Sequence, residues 1–270
     1  MKKVVLITGA SSGMGKATAI LLNAQGYKVY AVARRVGNMK ELEALDIKTA
    51  FMDITDDDSI DAVVTSILHT EGRLDILINN AGFGLYGAFE EVSIQEARRQ
   101  LDVNLIGLAR LTQVVIPVMR NQKSGKIINI SSIGGKMVGP FGAWYHVSKF
   151  GVEALSDALR LELKPFGIDV IVIQPGGIQS EWSGIAMNNL KSTAHDNIYE
   201  SAIMKVLSSN EKLEKQYSNP AVIARLILKA IQSKRPKTRY NGGYMAGFIL
   251  FIRRIVPDRI IDKMIMSKIS

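Results

Sequence analysis

Short apolar runs alternate with helical segments along the first two thirds of this 270-residue chain. The runs are rich in valine, isoleucine and leucine, a composition typical of strands buried on both faces of a sheet. We predict six strands, over 4–8, 28–33, 49–52, 74–78, 127–131 and 168–174. The intervening segments are long enough for helices, and helical crossovers require neighbouring strands to run parallel. The pattern therefore predicts an α/β fold with a doubly wound parallel sheet flanked by helices.

Length and composition favour a globular protein with one core. With 270 residues, 47% of them hydrophobic, the chain can bury a full core, and we predict a single domain over 1–270. It contains no cysteine, which excludes disulfides and thiolate nucleophiles and fits a cytoplasmic protein. Its three histidines are isolated from one another, so we expect no bound metal. Because no apolar run approaches about 18 residues, we expect no membrane-spanning helix.

The positive charge of the chain is concentrated in its C-terminal third. Of the net charge of +9, residues 181–270 contribute +8, with 15 Lys/Arg against 7 Asp/Glu. A solvated basic surface explains this balance, and so does contact with anionic lipid or with an acidic substrate. No ladder of basic and aromatic residues and no motif of a known module accompanies the charge, so we expect no nucleic-acid partner.

A glycine-rich turn joins the first strand to the first helix. Its sequence is Thr-Gly-Ala-Ser-Ser-Gly-Met-Gly, with glycines at Gly9, Gly13 and Gly15. The first glycine permits a tight turn, the second lets a pyrophosphate approach the backbone, and the third lets helix and strand pack closely. The alternative is a tight turn without a ligand. The strand–turn–helix context favours a phosphate-binding turn of a Rossmann-type fold.

Other strand ends carry residues suited to a dinucleotide. Arg34 follows the second strand, where an acidic residue would hold the ribose hydroxyls and an arginine accommodates a 2′-phosphate, so NADP(H) is favoured over NAD(H). Asp53 and Ile54 end the third strand, where an adenine ring can lie. Asn-Asn-Ala-Gly over 79–82 ends the fourth and can border a cofactor. Each feature also has an ordinary interpretation, as surface arginines or as a common turn.

Hydroxyl, phenol and ammonium groups follow the fifth strand. Tyr145 and Lys149 are four residues apart, which places them on one helix face with Cβ atoms about 5–6 Å apart. Ser132 ends the strand, and a glycine-containing loop can fold its hydroxyl back towards the phenol. The reference pKa of tyrosine is about 10, and a nearby cation favours the phenolate. Asn104, in a predicted long helix over 94–121, is either a satisfied structural amide or part of a proton relay.

In their order and spacing, these motifs resemble the compact, single-domain branch of the short-chain dehydrogenase/reductases. The motifs are Thr8-Gly9-x-x-x-Gly13-x-Gly15, Asn79-Asn80-Ala81-Gly82, Asn104, Ser132, Tyr145-x-x-x-Lys149 and Pro175-Gly176. The resemblance is close over residues 3–180. The tail is loosely similar to hydroxysteroid dehydrogenases, retinol dehydrogenases and acyl-dihydroxyacetone phosphate reductases. Such enzymes imply a Rossmann-type fold, a nicotinamide cofactor and a homodimer or homotetramer.

The resemblance implies a role for each matching residue. Tyr145 would be the general acid for carbonyl reduction or the base for alcohol oxidation, and Lys149 would lower its pKa and hold the nicotinamide ribose. Ser132 would hydrogen-bond the substrate oxygen, and Asn104 would position a water that connects Lys149 to solvent. The residues implied in cofactor binding are Gly9, Ser11, Ser12, Gly13, Met14, Gly15, Arg34, Asp53, Ile54, Asn80, Ala81, Gly82, Tyr145, Lys149, Pro175, Gly176, Ile178 and Ser180.

The last third is expected to cover the substrate, with a helical substrate lid over 181–218 and a C-terminal extension over 241–270. Aromatic side chains suggest an apolar pocket, although each can equally be core packing. The residues expected in the pocket are Ser132, Phe141, Trp144 and Trp182. The extension has apolar residues at spacings of three and four with a basic opposite face, which predicts an amphipathic helix. Such a helix can pack on its own domain or another subunit, or make peripheral contact with a membrane.

Together these features predict an NADPH-dependent carbonyl reductase or alcohol dehydrogenase that acts on a hydrophobic ketone, aldehyde or alcohol. Two alternatives remain: an NAD-dependent alcohol dehydrogenase, and a non-catalytic NAD(P)-sensing protein that keeps the fold without turnover. A pure sensor need not retain the hydroxyl, phenol, ammonium and amide groups together, which favours the enzyme.

Overall fold

The computed structural model describes residues 2–192 and 198–267, and the strands within them form one seven-stranded sheet. In chain order the strands are β1 Val4–Thr8, β2 Lys28–Ala33, β3 Lys48–Phe51, β4 Ile76–Asn79, β5 Gly125–Ile130, β6 Ile168–Pro175 and β7 Arg239–Gly242. Their order across the sheet is β3-β2-β1-β4-β5-β6-β7, and every neighbouring pair is parallel. The predicted doubly wound parallel sheet is confirmed.

The chain changes direction at the centre of the sheet. From β1 it winds outwards through β2 to β3, and then it returns to β4 on the other side of β1. Because the connections after β1 and β4 leave in opposite directions, a crevice opens beyond the carboxyl ends of these strands, where α/β proteins bind ligands. The turn after β1 and the loop after β4 meet there: a Cβ added at Gly9 would lie 2.8 Å from the Cα atom of Ala81.

Helices cover both faces of the sheet. They are α1 Gly13–Ala24, α2 Lys40–Glu43, α3 Asp57–Glu71, α4 Ile94–Leu101, α5 Gly107–Asn121, α6 Ala143–Leu163, α7 Glu181–Ser192, α8 Glu200–Glu214, α9 Ala221–Gln232, α10 Ala246–Ile255 and α11 Asp258–Met266. In β1, Val5 and Ile7 join a core with residues of α1 and α9, whereas Val4 and Leu6 join a second core with residues of α3 and α5. Alternate side chains of a strand point to opposite faces, so the unbroken apolar strand is buried between two helical layers.

The helix predicted over 94–121 is interrupted in its middle. α4 ends at Leu101, a π-helical segment covers Asp102–Ile106, and α5 begins at Gly107. Gly107 lies against the backbone of the loop after β3, where a Cβ would approach the Ile54 carbonyl oxygen to 2.2 Å. Single π-helical turns within α-helices are frequent at functional sites, and this one carries Asn104.

The segment Ile94–Asn121 also bears on the expectation that no helix spans a membrane. It is long and apolar enough to cross one by length and composition, and it is the one such helix in the described part of the chain. Its apolar face, including Leu111, Val115 and Met119, belongs to the core that packs on the sheet. One face of the segment is therefore buried against the sheet.

The sheet edge differs from the sequence prediction, which gave six strands. β7 is the seventh, and it pairs with β6 from Val172 and Arg239 to Pro175 and Gly242. Its sequence, Arg-Tyr-Asn-Gly, lacks the apolar pattern on which strand prediction depends. Pairing with a long neighbouring strand, rather than local sequence, determines its conformation.

The two segments expected after β6 are both helical in part. The range 181–218 contains α7 and α8, and Leu190 and Ile203 from them form a small separate core. The range 241–270 begins inside β7 and continues as α10 and α11, two helices separated at Pro257 where one was predicted. Residues 193–197 of the first range and 268–270 of the second lie outside the described residues.

Candidate active site

The glycine turn brings the start of α1 close to the end of β1. Gly9 and Gly13 have φ values of +66° and +54°, which glycine adopts without strain. A Cβ added at Gly15 would lie 2.5 Å from both Asn80 Nδ2 and the Gly9 carbonyl oxygen, so only glycine fits there. Ser12, the N-cap of α1, makes no side-chain bond to the first turn of the helix. The N–H groups of that turn therefore remain available to an anion, together with the positive end of the helix dipole.

Thr8 and Asn80 join this turn to the loop after β4. Asn80 Nδ2 donates to the carbonyl oxygens of Thr8 and Gly9, at 2.9 and 3.1 Å. The backbone N–H groups of Asn80 and Ala81 donate to Thr8 Oγ1, both at 3.0 Å. The side-chain amide of Asn80 therefore holds the backbone of the turn, and Ala81 and Gly82 follow it along the wall of a cleft.

This cleft lies between the glycine turn, the ends of β2 and β3, the loop after β4 and the start of α7. Most of the predicted cofactor residues line it, together with one predicted pocket residue: Gly9, Ser11, Ser12, Gly13, Met14, Arg34, Ile54, Asn80, Ala81, Gly82, Ser180 and Trp182. The remaining predicted cofactor residues are not part of this lining: Gly15, Asp53, Tyr145, Lys149, Pro175, Gly176 and Ile178. Gly176 instead packs against the extension, where a Cβ would approach the Tyr244 carbonyl oxygen to 2.2 Å.

Two arginines stand at the outer end of the cleft. Arg34 Nη1 lies 4.0 Å from Asp53 Oδ2, in a loose and half-exposed ion pair. Arg35 Nη2 donates to Glu181 Oε2 at 2.7 Å and to Ser12 Oγ at 3.4 Å. Burial alone would raise the pKa of Asp53, but hydrogen bonds from Thr55 and the charge of Arg34 lower it overall. Arg35, rather than Arg34, is thus the arginine that contacts the glycine turn.

A second group of predicted site residues lies beyond the carboxyl end of β5: Ser132, Tyr145 and Lys149. Tyr145 lies in the first turn of α6, and Lys149 follows one turn later; both are buried. Lys149 Nζ donates to the Ile130 carbonyl oxygen at 2.9 Å. Ser132 Oγ accepts from the Gly134 N–H at 2.9 Å and hydrogen-bonds the Tyr145 phenol. The loop therefore folds the hydroxyl back onto the phenol, as its glycines led us to expect.

Burial determines the pKa values of the phenol and the ammonium. It raises the pKa of Tyr145 to about 12, against a lowering by the hydrogen bond with Ser132. It lowers the pKa of Lys149 to about 8, since the ammonium loses its hydration. The sequence led us to expect that Lys149 would lower the pKa of Tyr145, and the structure gives the opposite direction. Desolvation of the phenolate raises the pKa by more than the hydrogen bond with Ser132 lowers it. The Lys149 ammonium donates to the backbone of β5.

Asn104 has partners for both ends of its buried amide. Its Oδ1 accepts from the Phe83 N–H at 3.0 Å, and its Nδ2 donates to the Phe83 carbonyl oxygen at 2.9 Å. Nδ2 also donates to Ser148 Oγ at 3.2 Å, and that hydroxyl donates to the Tyr145 carbonyl oxygen at 2.7 Å. The structure therefore gives Asn104 a structural role between the loop after β4 and α6. A water relay from Lys149 stays a prediction.

Aromatic rings surround the phenol of Tyr145. The rings of Trp182 and Tyr86 have centroids 4.9 and 5.9 Å from it, and they contact each other edge to face at 6.1 Å. Phe141 packs edge to face on Tyr199 at 6.0 Å, beside the small core formed by α7 and α8. Trp144 stacks on Phe89 at 5.7 Å, so it belongs to a different ring contact from the one around the phenol.

The sequence model of the short chain dehydrogenases matches residues 3–189. This chain belongs to the short-chain dehydrogenase/reductase family.

Curated relatives and solved structures agree with this assignment. The 3-ketodihydrosphingosine reductase of Bacteroides thetaiotaomicron is 38% identical over 242 residues, which cover 89% of this chain and 88% of the relative. The NADPH-dependent 3-dehydrocapnine reductase of Ornithobacterium rhinotracheale is 33% identical over 273 residues, 97% and 95% of the two chains. A short-chain dehydrogenase structure from Streptomyces avermitilis is 32% identical, covers 97% of this chain and 94% of its own, and has a TM-score of 0.82.

Two other structural neighbours carry a nicotinamide dinucleotide. A metagenomic short-chain oxidoreductase in complex with NADP is 27% identical, with 89% and 96% coverage of the two chains and a TM-score of 0.70. The 3-ketoacyl-(acyl-carrier-protein) reductase of Brucella melitensis, complexed with NADH, is 26% identical with the same coverage and a TM-score of 0.75. The predicted family and oxidoreductase class are confirmed. A dinucleotide cofactor is supported too, and the uncapped start of α1 beside a glycine cradle fits its pyrophosphate.

Several residues of this dehydrogenase/reductase site were missed at the sequence level. They are Val32, Arg35, Met52, Val103 and Glu181, all of which line the cleft. Val32 and Met52 could have been found, because they lie at the carboxyl ends of parallel strands that meet at one sheet edge. Glu181 had no local signal, since its ion pair joins it to Arg35, which is distant in sequence.

Proposed function

We propose that this member of the family is an NADPH-dependent carbonyl reductase that acts on a hydrophobic ketone. The observation that carries the proposal is the buried hydrogen-bonded pair of Tyr145 and Ser132, with Lys149 one helical turn away. The rings of Tyr86 and Trp182 both contact the Tyr145 ring, so a carbonyl oxygen at the phenol would lie in an apolar setting. The bound dinucleotide would supply the hydride.

In the proposed reaction the residues of the chain manage the substrate oxygen. Ser132 Oγ donates a hydrogen bond to the carbonyl oxygen, and Tyr145 donates its phenolic proton to the same atom as negative charge develops. Because burial raises the pKa of Tyr145 to about 12, the phenol is protonated at neutral pH, which suits an acid and hence the direction of reduction. The Lys149 cation stabilises the phenolate that remains after proton transfer.

The preference for NADPH is proposed from charge at the outer end of the cleft. β2 ends at Ala33, so no carboxylate stands where it would hold ribose hydroxyls, and Arg34 and Arg35 follow directly. A 2′-phosphate beside these arginines would gain two charge-assisted contacts, which a free hydroxyl cannot make. The 3-dehydrocapnine reductase of Ornithobacterium rhinotracheale is named as NADPH-dependent, which supports the same preference.

The proposed substrate class is a long-chain lipid ketone. Two relatives that align over most of the chain have names specifying reduction of such a ketone, 3-ketodihydrosphingosine and 3-dehydrocapnine. The apolar surroundings of Tyr145 and the helices α7 and α8, which we propose to form a lid, agree with an apolar substrate. We further propose that the enzyme is a cytoplasmic homodimer or homotetramer and that residues 1–270 act as one domain.

The test is reduction of 3-ketodihydrosphingosine with NADPH and with NADH, followed by nicotinamide absorbance. Tyr145→Phe should lower kcat by about 10²–10⁴-fold and leave the NADPH dissociation constant unchanged, because it removes a proton and no cofactor charge. Tyr27→Phe, the same change outside the cleft lining, is the matched control.

Each alternative has its own signature in this test. Full turnover by Tyr145→Phe would refute the mechanism. Better turnover with NADH, or oxidation of alcohols alone, would favour the NAD-dependent alcohol dehydrogenase. Tight cofactor binding without turnover of any carbonyl would favour the sensing protein. Reduction of small polar carbonyls with rejection of the long-chain ketone would refute the substrate class alone.

A further inference from the structure

We propose that α10 and α11 dock on an anionic lipid bilayer and that the docked enzyme draws its ketone from that bilayer. The docking surface, here called the apolar stripe, consists of Phe248, Phe251 and Ile255 on α10 and Ile260 and Met264 on α11. All five side chains are at least half exposed. The second half of the proposal rests on the proposed substrate class, whereas the docking itself does not.

The first observation is the direction in which α10 presents its apolar residues. Phe248, Phe251 and Ile255 have spacings of three and four, which place them on one helix face, and they are 56%, 60% and 61% exposed. Ala246, on the opposite side, is buried. A surface helix normally buries its apolar face and exposes a polar one. In α10 the side that faces solvent is apolar instead. Contiguous exposed apolar side chains of this kind mark interaction surfaces.

α11 has a similar pattern, and the Arg253–Asp258 ion pair joins it to α10. Ile261 is buried and anchors the helix, while Ile260 and Met264, four residues apart, are exposed. Arg259 and Lys263 are also exposed and also four residues apart, so they form a basic row beside the exposed apolar one. An apolar row next to basic residues is the arrangement with which helices lie in the interfacial plane of a membrane.

Charge decides between a bilayer and a second copy of the chain. Arg254, Arg259 and Lys263 take part in no ion pair within residues 2–192 and 198–267, whereas Arg253 is paired with Asp258 at 2.7 Å. A twofold interface built on this stripe would bring two copies of the same basic surface together, because such an interface uses one patch of both subunits. Anionic headgroups would instead attract each of these cations.

The position of α10 connects the stripe with the site. α10 packs against Ile133–Gly135, the turn directly after Ser132, and Arg253 Nε donates to the Lys136 carbonyl oxygen at 3.1 Å. On its other side, the backbone of Tyr244 pairs with Gly177 at the end of β6. α10, which carries three residues of the stripe, therefore packs directly on the turn that follows Ser132. A lipid ketone drawn from the bilayer would enter from this side.

The experiment is vesicle flotation of the full chain, with phosphatidylcholine vesicles and with vesicles containing phosphatidylglycerol. Wild type should float with the anionic vesicles at low salt and be released as salt shortens the screening length. Phe248→Ser with Phe251→Ser should weaken binding at least about tenfold, because two partly inserted aromatic side chains are lost. Arg254→Glu with Arg259→Glu should weaken binding to anionic vesicles alone.

Matched controls use exposed positions away from the stripe. Leu161→Ser removes an apolar side chain that is 68% exposed on α6, and Arg225→Glu with Lys229→Glu reverses two exposed charges on α9. Both controls should float as wild type does. No flotation of wild type at low salt would overturn the proposal. Unchanged flotation of the serine variant would also overturn it. If wild type forms an oligomer and light scattering shows that the serine variant does not, the stripe is a subunit interface instead.

Delivery from the bilayer is tested by comparing two forms of substrate. The serine variant should reduce a vesicle-borne long-chain ketone several-fold more slowly than wild type, and a water-soluble short ketone at the wild-type rate. Equal rates on both would overturn delivery. If wild type reduced no ketone at all, the proposed function would fail while the flotation result still decided the docking.

Discussion

His146, the residue after Tyr145, fixes the loop that carries Ser132. Its Nδ1 is 2.9 Å from the Gly134 carbonyl oxygen, and the Gly139 N–H donates to its Nε2 at 2.9 Å. Since Nε2 accepts, Nδ1 carries the proton and donates to Gly134. The neutral ring thus bridges two points of the loop. Burial lowers the pKa of His146, which keeps the ring neutral at physiological pH.

His146→Ala should destabilise the protein and reduce turnover. It leaves the buried Gly134 carbonyl oxygen unpaired, at about 1–3 kcal/mol, and removes the bond to the half-buried Gly139 N–H, at about 0.5–1.5 kcal/mol. The expected loss in the free energy of unfolding is therefore about 2–4 kcal/mol, measured by urea denaturation. kcat should fall more than NADPH affinity, because the loop holds Ser132 and not the dinucleotide cleft.

Two conservative variants separate the two bonds. His146→Asn can still donate to the Gly134 carbonyl oxygen, and His146→Gln can still accept from the Gly139 N–H. Each should recover part of the stability and of kcat that His146→Ala loses. An alanine variant with wild-type stability and kcat would refute the reasoning, and so would three variants with equal losses.

The burial of His146 also predicts that the stability of the fold depends on pH. The folded-state pKa of His146 lies below its unfolded value of about 6.5, so the unfolded chain binds more protons in this range. Stability should therefore be complete above about pH 6.5 and decline as the pH falls towards the folded-state pKa. The decline should be smaller in His146→Gln. Tyr145, whose ring contacts the imidazole, stays uncharged throughout and does not add to it.

Three further predictions concern the cleft and the ammonium. Gly15→Ala should weaken NADPH binding and destabilise the fold by about 1–3 kcal/mol, because its Cβ would overlap Asn80 Nδ2; fluorescence titration and urea denaturation measure both. Arg34→Ala and Arg35→Ala should each weaken NADPH binding about tenfold and NADH binding much less, and equal losses for both cofactors would contradict a 2′-phosphate site. Ketone reduction should decline as the pH rises through about 8, where Lys149 loses its proton, and a flat kcat profile from pH 7 to about 10 would exclude this role.

Local sequence patterns were sufficient to predict the central sheet and most of the residues that line the cleft. β1 is buried along its whole length, β2 is buried over most of its length, and both are largely apolar, so their bounds followed from composition. The glycine turn and the Tyr145–Lys149 pair were recognisable because their geometry depends on a fixed spacing along the chain. The approach of Ser132 to the phenol followed from the glycines of its loop.

The features that sequence could not supply depend on contacts between distant residues. β7 adopts strand conformation through pairing with β6, and the Arg35–Glu181 ion pair joins two elements that are separate in sequence. The pKa of Tyr145 had the unexpected direction because burial, which is a property of the folded chain, raises it by more than the hydrogen bond with Ser132 lowers it. The π-helical segment around Asn104 carries no residue type that distinguishes it from the flanking helices.

β7 has a consequence for how the protein is made. During synthesis β6 leaves the ribosome first, and the chain from Pro175 to Arg239 must follow before β7 can pair with it. Throughout that interval β6 is an open edge with the sequence Ile-Asp-Val-Ile-Val-Ile-Gln-Pro, which is the kind of apolar strand that recruits other chains. Four polar or small residues, Arg-Tyr-Asn-Gly, close that edge in the finished molecule. A nascent chain stalled before β7 is therefore the species most prone to aggregate, and slow translation of the last third should increase the demand for chaperones.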